Sequence, residues 1–502
     1  MPDVMPSLSS PLAAIDMGSN SFRLEIGRLQ RGQYRRIDYL KDMVRLGAGL
    51  DGAGQLTEPA VARGLGCLRR FASRLKGFAP GQVRAVSTQT LREAKNRNAF
   101  LARAQDALGY PIEVISGREE ARLIYSGVAH LQPTDEPRLV IDIGGRSTEM
   151  ILGQGALPGV AESFQVGCVS LSMRFFPDGA VTQDGFRQAQ IAAGAEVEEG
   201  LQPFARSNWE RALGSSGTVS AVSQWLAAAG QTDGRITPAA LRWCITQCLE
   251  AGHVDRLNFA GVKPERRAVL PGGLAILYTL LASFDIDALF PAKGALRQGV
   301  IVDLHQRLEA QQLARPGDMR DRSVVELQHR FGVDRTQAAH VRSVALRLFD
   351  SACPDADADE RRELGWACDL HEMGLMVSHH DHHRHSAYLI DHVDAPGFSQ
   401  SQQRRVGELV LGQRGGLRKI EPHMSQGAFA WQVMCLRLAV IKCHARGVVN
   451  RSALGLTADG QQAHLAFDAR WAAQRLRTVY LLREEAAAWA RHGTLTLHLP
   501  VE

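Results

Sequence analysis

Ile15-Asp16-Met17-Gly18-Ser19-Asn20-Ser21 and Ile141-Asp142-Ile143-Gly144-Gly145-Arg146-Ser147 share the pattern Ile-Asp-x-Gly-x-x-Ser at an offset of 126 residues. Each copy ends a short apolar run (PLAAID at 11–16, RLVID at 138–142) and precedes a second run (FRLEIGRL at 22–29, TEMILG at 148–153). That order reads as strand, tight turn, strand. Because the context matches as well as the residues, the two stretches read as a duplicated domain. Around the first copy the sequence predicts a helix with Thr57 as N-cap and Pro59 in its first turn, then strand VRAVS (83–87). A helix near 91–107, strand IEVIS (112–116) and a helix from 118 complete an α/β pattern with parallel strands. The expected fold class is α/β, with duplicated lobes over 1–132 and 133–305.

The whole chain has 502 residues, room for about three domains at roughly 150 each. A hydrophobic share of 45% and a charged share of 22% exclude a disordered chain. The net charge of +5 mildly favours an anionic partner and makes no case for a nucleic-acid duplex. The opening MPDVMPSLSSPLAA has no basic region followed by a long apolar stretch, and no run of about 18 apolar residues occurs. Eight scattered cysteines fit a reducing cytoplasm; peripheral attachment to a membrane stays open. From 306 the texture changes. Ala-Arg-Pro-Gly-Asp (314–318) reads as a linker, and helical periodicity through 324–350, 360–377 and 401–412 predicts a mainly helical domain over 306–420. After 421 come a helix near 427–446, a hairpin around Ala458-Asp459-Gly460, a helix near 470–490 and a strand in TLTLHLP. These predict a small α+β unit over 421–502.

The chemistry starts from the duplicated turns. Glycine-rich backbone can turn its N–H groups onto phosphate oxygens. A carboxylate beside phosphate is repulsive unless a divalent cation bridges them, so Asp16 and Asp142 are candidates to hold such a cation. A third turn, Gly214-Ser215-Ser216-Gly217-Thr218, precedes a helix and adds Gly214 and Ser216 to the candidate phosphate contacts. At Ser116-Gly117-Arg118-Glu119-Glu120 the Ser-x-x-Glu spacing is that of a capping box, which gives Glu119 a structural duty. Glu120 has none locally. It is either a solvated first-turn carboxylate or a general base aimed at an attacking water.

Taken in order, IDMGSNSFRL, STQTLREA, ISGREEARLIYSGV, VIDIGGRSTEMI, GCVSLSMRFF, GSSGTVSA and RRAVLPGGLAIL resemble the exopolyphosphatase/guanosine pentaphosphate phosphohydrolase family of the actin/sugar-kinase/Hsp70 ATPase superfamily, over about residues 12–305. The resemblance implies two ribonuclease-H-like lobes around a cleft, Mg²⁺-dependent release of terminal phosphate, and a catalytic Glu falling on Glu120. It also implies phosphate contacts from Ser19, Asn20, Ser21, Thr88, Arg92, Gly144, Gly145 and Ser147, with Asp142 and Glu149 near the metal. One residue departs from the family's pattern: Arg146 stands where that loop has a small residue. Its side chain either points outward or forks onto phosphate, and Arg146→Gly is expected to retain activity.

The segment from Leu370-His371-Glu372 to His385 resembles an inactive HD-like domain of longer family members, with a degenerate metal site and at most adventitious zinc or nickel binding. Arg404, Arg405, Arg414, Arg418 and Lys419 surround a Gly415-Gly416 turn and form a candidate tract for the distal phosphates of a polyanion. The leading expectation is an exopolyphosphatase acting on inorganic polyphosphate. Guanosine pentaphosphate 5′-phosphohydrolase is the alternative, followed by a non-hydrolytic polyphosphate or alarmone sensor. The resembling family's helical C-terminal domains commonly support dimers, so a homodimer is expected.

Overall fold

The computed structural model describes residues 7–313, 317–446, 450 and 452–500. It divides into two compact units, Met1–Gly317 and Asp318–Glu502. In the expected linker, residues 314–316 lie outside the described residues, as do residues 1–6 of the opening stretch.

The first unit holds two five-stranded sheets. One comprises β1 (Leu12–Met17), β2 (Phe22–Gln30), β3 (Gln33–Asp42), β4 (Val83–Ser87) and β5 (Ile112–Val114), in the order β3-β2-β1-β4-β5. The other comprises β6 (Arg138–Ile143), β7 (Thr148–Gln154), β8 (Leu157–Phe164), β9 (Arg211–Ser215) and β10 (Leu289–Pro291), in the order β10-β9-β6-β7-β8. In each, the first three strands are an antiparallel meander and the last two join in parallel. The duplication extends to an irregularity: the register shifts at Ile26/Gly27 in one sheet and at Leu152/Gly153 in the other. β1 is buried along its whole length, as befits a central strand covered on both faces.

The helix expected near 91–107 is two helices, Gln89–Glu93 and Arg97–Leu108. The break has a cause in side-chain chemistry. Asn96 exchanges two hydrogen bonds with the backbone of Leu56, at 2.9 and 3.0 Å, which pulls the chain off the helical path.

Helices Gly117–Leu131 and Leu296–Leu313 cross so tightly that a Cβ at Gly299 would lie 1.7 Å from the carbonyl oxygen of Leu123; only glycine permits that approach. Below the crossing runs a charged cluster closed to solvent. Asp303 accepts from Arg84, Arg122 and Arg307 at 2.7, 2.5 and 2.7 Å, and Glu119 pairs with Arg122 at 2.7 Å. Glu119 is thus structural, through this cluster. As helix cap, Ser116 Oγ accepts from Glu119 N at 3.1 Å.

The second unit is mainly helical. Helices Met319–Arg330, Arg335–Ala352, Ala358–Leu370, His382–His392, Gln400–Gly412, Phe429–Cys443 and Leu476–His492 accompany a small sheet of β11 (Gly455–Asp459), β12 (Gln462–Ala466) and β13 (Thr496–His498). The expected domain boundaries differ here. Position 305 lies inside helix Leu296–Leu313, and residues on both sides of 420 share one core, from Val324 and Trp366 through Phe429 and Leu436 to Trp489 and Leu497. Helix Phe429–Cys443 is buried on most of its surface, so it packs as the centre of this unit and not as the start of a separate one. Among the described residues no helix is long and apolar enough to cross a membrane.

Candidate active site

The two glycine turns follow the carboxyl ends of β1 and β6 and face one cleft of about 670 Å³. Its lining includes Asp16, Ser19, Asn20, Ser21, Thr88, Glu120, Asp142, Gly144, Gly145, Ser147 and Ser216, so most of the residues expected at the site come together. Both turns are fixed from outside. Ser19 Oγ lies 2.8 Å from Thr90 Oγ1, and Gly47 N donates to Ser19 O at 2.7 Å. In the second turn Gly144 N donates to Ser147 O at 2.9 Å, while Cys168 N and Val169 N, at the start of a helix, donate to the carbonyls of Gly144 and Gly145 at 3.0 and 2.8 Å. Ser216 holds φ 86°, strain of the kind that collects at functional sites.

Glu120 sits on the first turn of helix Gly117–Leu131, buried. Burial pushes its carboxyl up to about 7, against the pull of Arg92, whose Nη1 donates to Oε2 at 2.9 Å. Asp16 and Asp142 add to the rise. A carboxylate near 7 is suited to take a proton at neutral pH.

The duplicated aspartates have diverged. Asp16 Oδ2 has Arg297 at 3.3 Å and Arg23 at 3.8 Å. Among the described residues Asp142 has no cation in direct contact, and burial raises its carboxyl, offset by a hydrogen bond to Ser215 and by the charges of Arg23 and Arg297. Glu149, fully buried on β7, is pushed well above the usual carboxylate range by burial and then by Glu120 and Asp142. Its Oε1 accepts from Ser163 at 2.8 Å, Ser147 lies close enough to oppose the rise, and among the described residues its Oε2 makes no well-formed hydrogen bond. In the cleft lining, Asn20 Nδ2 is a buried donor without an acceptor among the described residues.

Three expected residues sit elsewhere. Gly214 belongs to β9 and faces the apolar side, where a Cβ would press Val219 at 2.7 Å. Glu149 lies behind the lining, and Arg92 touches the site only through Glu120. Conversely, the cleft contains three arginines that sequence reasoning missed: Arg23, Arg266 and Arg297. Arg23 is the second residue of β2, directly after the first turn, a placement that could have flagged it. Arg266 lies over Gly217, where a Cβ would fall 1.6 Å from its Nη2. Arg146 neither points outward nor enters the cleft; its Nη2 lies 2.6 Å from Glu93.

In the second unit, Arg405 is committed to Glu363 at 2.5 Å and to the Phe429 ring, which removes it from the expected tract. Arg404 is exposed, and Arg414, Arg418 and Lys419 remain around the Gly415-Gly416 turn. Burial, with Arg437 and Arg384 nearby, lowers the Lys419 ammonium to about 8. His371 is buried with Nδ1 on Cys368 O at 2.7 Å, and Glu372 pairs with Arg446. Among the described residues no three His, Cys, Asp or Glu side chains form a ready metal set.

Comparison with known proteins places this geometry. Residues 26–308 match the Ppx/GppA phosphatase family, and residues 319–486 match Ppx/GppA phosphatase, domain III. The guanosine-5′-triphosphate,3′-diphosphate pyrophosphatase of Photobacterium profundum is 36% identical over 467 residues, 92% of this chain and 93% of its own. The Aquifex aeolicus PPX-GPPA enzyme shares 26% identity, with a TM-score of 0.50 over 58% of this chain and 98% of its own. An exopolyphosphatase from Cytophaga hutchinsonii has the same fold at 24% identity, with a TM-score of 0.54 over 59% of this chain and 98% of its own. The chain belongs to the Ppx/GppA phosphatase family.

Proposed function

We propose that the protein removes the terminal 5′ phosphate of guanosine pentaphosphate by water attack, giving guanosine tetraphosphate and orthophosphate. The observation behind the chemistry is the placement of buried Glu120 opposite both glycine turns in one cleft. The choice of substrate is supported by the similarity, over nearly the whole chain, to the Photobacterium profundum pyrophosphatase. This reverses the ranking expected from sequence, where polyphosphate came first.

Glu120 Oε2 is held by Arg92, which leaves Oε1 to take the proton of a water aligned with the scissile bond. As the bond between phosphorus and the bridging oxygen breaks, turn N–H groups, Asn20 Nδ2 and Arg266 stabilise the charge on the phosphoryl oxygens. Glu149 Oε2, without a hydrogen-bond partner among the described residues, and Asp142, without a cation in direct contact, would be the residues to hold a hard divalent ion. Mg²⁺ held there supplies positive charge beside the phosphates. Asp16, already balanced by two arginines, is the weaker ligand.

A second reading, polyphosphate as substrate, is favoured by the clustered Arg414, Arg418 and Lys419. Phosphate release from both substrates, with wild type and Glu120→Gln, separates the readings. Faster release from guanosine pentaphosphate supports the first; exclusive action on polyphosphate overturns it; binding of either without release favours a sensor.

A further inference from the structure

Arg146 occupies the place in the second turn that Asn20 holds in the first, and it reaches across to the other lobe. Its Nη2 and Nε lie 2.6 and 2.9 Å from Glu93 Oε2, and its Nη1 is 3.4 Å from Gly47 O. The second oxygen of Glu93 accepts from Gln89 Nε2 at 2.7 Å. Gln89 Oε1 in turn accepts from Arg92 Nε and Nη2 at 2.9 and 2.7 Å. Arg92 Nη1 then donates to Glu120 Oε2 at 2.9 Å and to Ile115 O at 2.9 Å. An unbroken chain of contacts therefore links the second lobe's turn to the carboxylate that faces the cleft.

We propose that the Arg146–Glu93 pair is an interlobe clasp that orients Gln89 and Arg92 and through them positions Glu120. This rests on the proposed role of Glu120. Arg146 is a positioning residue here, since its guanidinium touches neither the cleft nor Glu120. The physical reason lies in Gln89. Both ends of its amide are used, one by Glu93 and one by Arg92, so turning Glu93 away removes what holds the amide's orientation and leaves two Arg92 donors without a fixed acceptor. The pair joins two lobes, so it forms only at the lobe separation seen here, which makes alignment of the base depend on closure of the cleft.

The test uses the full chain and guanosine pentaphosphate, with Arg146→Gly, Arg146→Lys, Glu93→Gln and the Arg146→Gly/Glu93→Gln double variant. Arg146→Gly and Glu93→Gln are each expected to lower kcat about fivefold, the scale of a partly covered ion pair, with KM within about twofold. The double variant falls no further than either single one, and Arg146→Lys recovers most of the rate. Additive losses, a change in KM alone, or a lysine as poor as glycine would overturn the clasp. Amide exchange of residues 89–93 gives a readout independent of turnover. It should quicken in Arg146→Gly and in Glu93→Gln and return to the wild-type rate in Arg146→Lys. Unchanged exchange in Arg146→Gly overturns the clasp while leaving the proposed activity intact. A wild-type protein that releases no phosphate removes the activity, and exchange alone then decides whether the clasp exists.

Discussion

Arg84 Nη1 and Asp303 Oδ2, 219 positions apart in the chain, lie 2.7 Å from each other where solvent does not reach. Arg84 is on β4 and Asp303 on helix Leu296–Leu313, so the contact ties the first sheet to the helix that crosses beside Glu120. Arg122 and Arg307 share the same carboxylate.

Removing Asp303 takes away the carboxylate that three buried guanidinium groups share, although Arg84 keeps Glu113 and Arg122 keeps Glu119. Asp303→Ala is expected to cost about 3–5 kcal/mol, read as a lower denaturant midpoint of the first unit. Burial raises this carboxyl, but Arg307, Arg122 and Arg84 outweigh it and hold it well below the usual range. The stability it adds is therefore complete above the unfolded carboxyl's ordinary value of about 3.9. It is lost as pH falls through the depressed folded value. Equal midpoints for variant and wild type at pH 7 would refute the assignment.

Glu120→Gln is expected to lower kcat by about 10²–10⁴-fold with KM little changed. With the wild-type carboxyl near 7, kcat/KM should fall tenfold per pH unit on the acid side of 7. The raised folded value also means that charging Glu120 destabilises the fold as pH rises from its unfolded value through 7. Above pH 7 Glu120→Gln should therefore melt higher than wild type.

Arg92 lowers the Glu120 carboxyl by its charge and its hydrogen bond. Arg92→Met should move the acid limb of the pH profile upward by about one unit or more. A limb that stays in place would show that another cation sets it.

Gly217 leaves room for Arg266. In Gly217→Ala the new methyl displaces the guanidinium, and kcat/KM should fall about tenfold, the weight of one charge-assisted hydrogen bond of about 1.5 kcal/mol. Thermal stability should change little; a large loss of stability with full activity would place Arg266 in a packing role.

Neutralising Arg414, Arg418 and Lys419 together should slow phosphate release from long polyphosphate by about threefold or more at low salt, with the difference fading as salt screens the cluster. Release from guanosine pentaphosphate should be unaffected. Equal slowing of both would remove the tract.

The two glycine turns were legible because all they need is contiguous: an apolar strand, an aspartate, residues that turn tightly, then a second strand. Glu120 was less so: Ser116 places the start of its helix and leaves that residue without a local duty, but spacing equally allowed a solvated carboxylate, and only the family resemblance pointed to the cleft where the residue lies. Arg266 and Arg297 were not legible, because each enters the cleft from an element packed against it from far along the chain. The split helix at Ala94–Asn96 escaped because its cause, the Asn96–Leu56 exchange, spans 40 positions.

Asp16 and Asp142 stand in one motif, at the ends of equivalent strands, and from chain order they are the same residue twice. In space, Arg297 and Arg23 are in direct contact with Asp16, whereas they act on Asp142 only from farther away and Glu149 is its strand neighbour. Local chemistry settled that each would close a β-strand at a tight turn. How each is surrounded by charge was settled by packing, because the energy of a charge depends on its distance to other charges and on the water excluded around it.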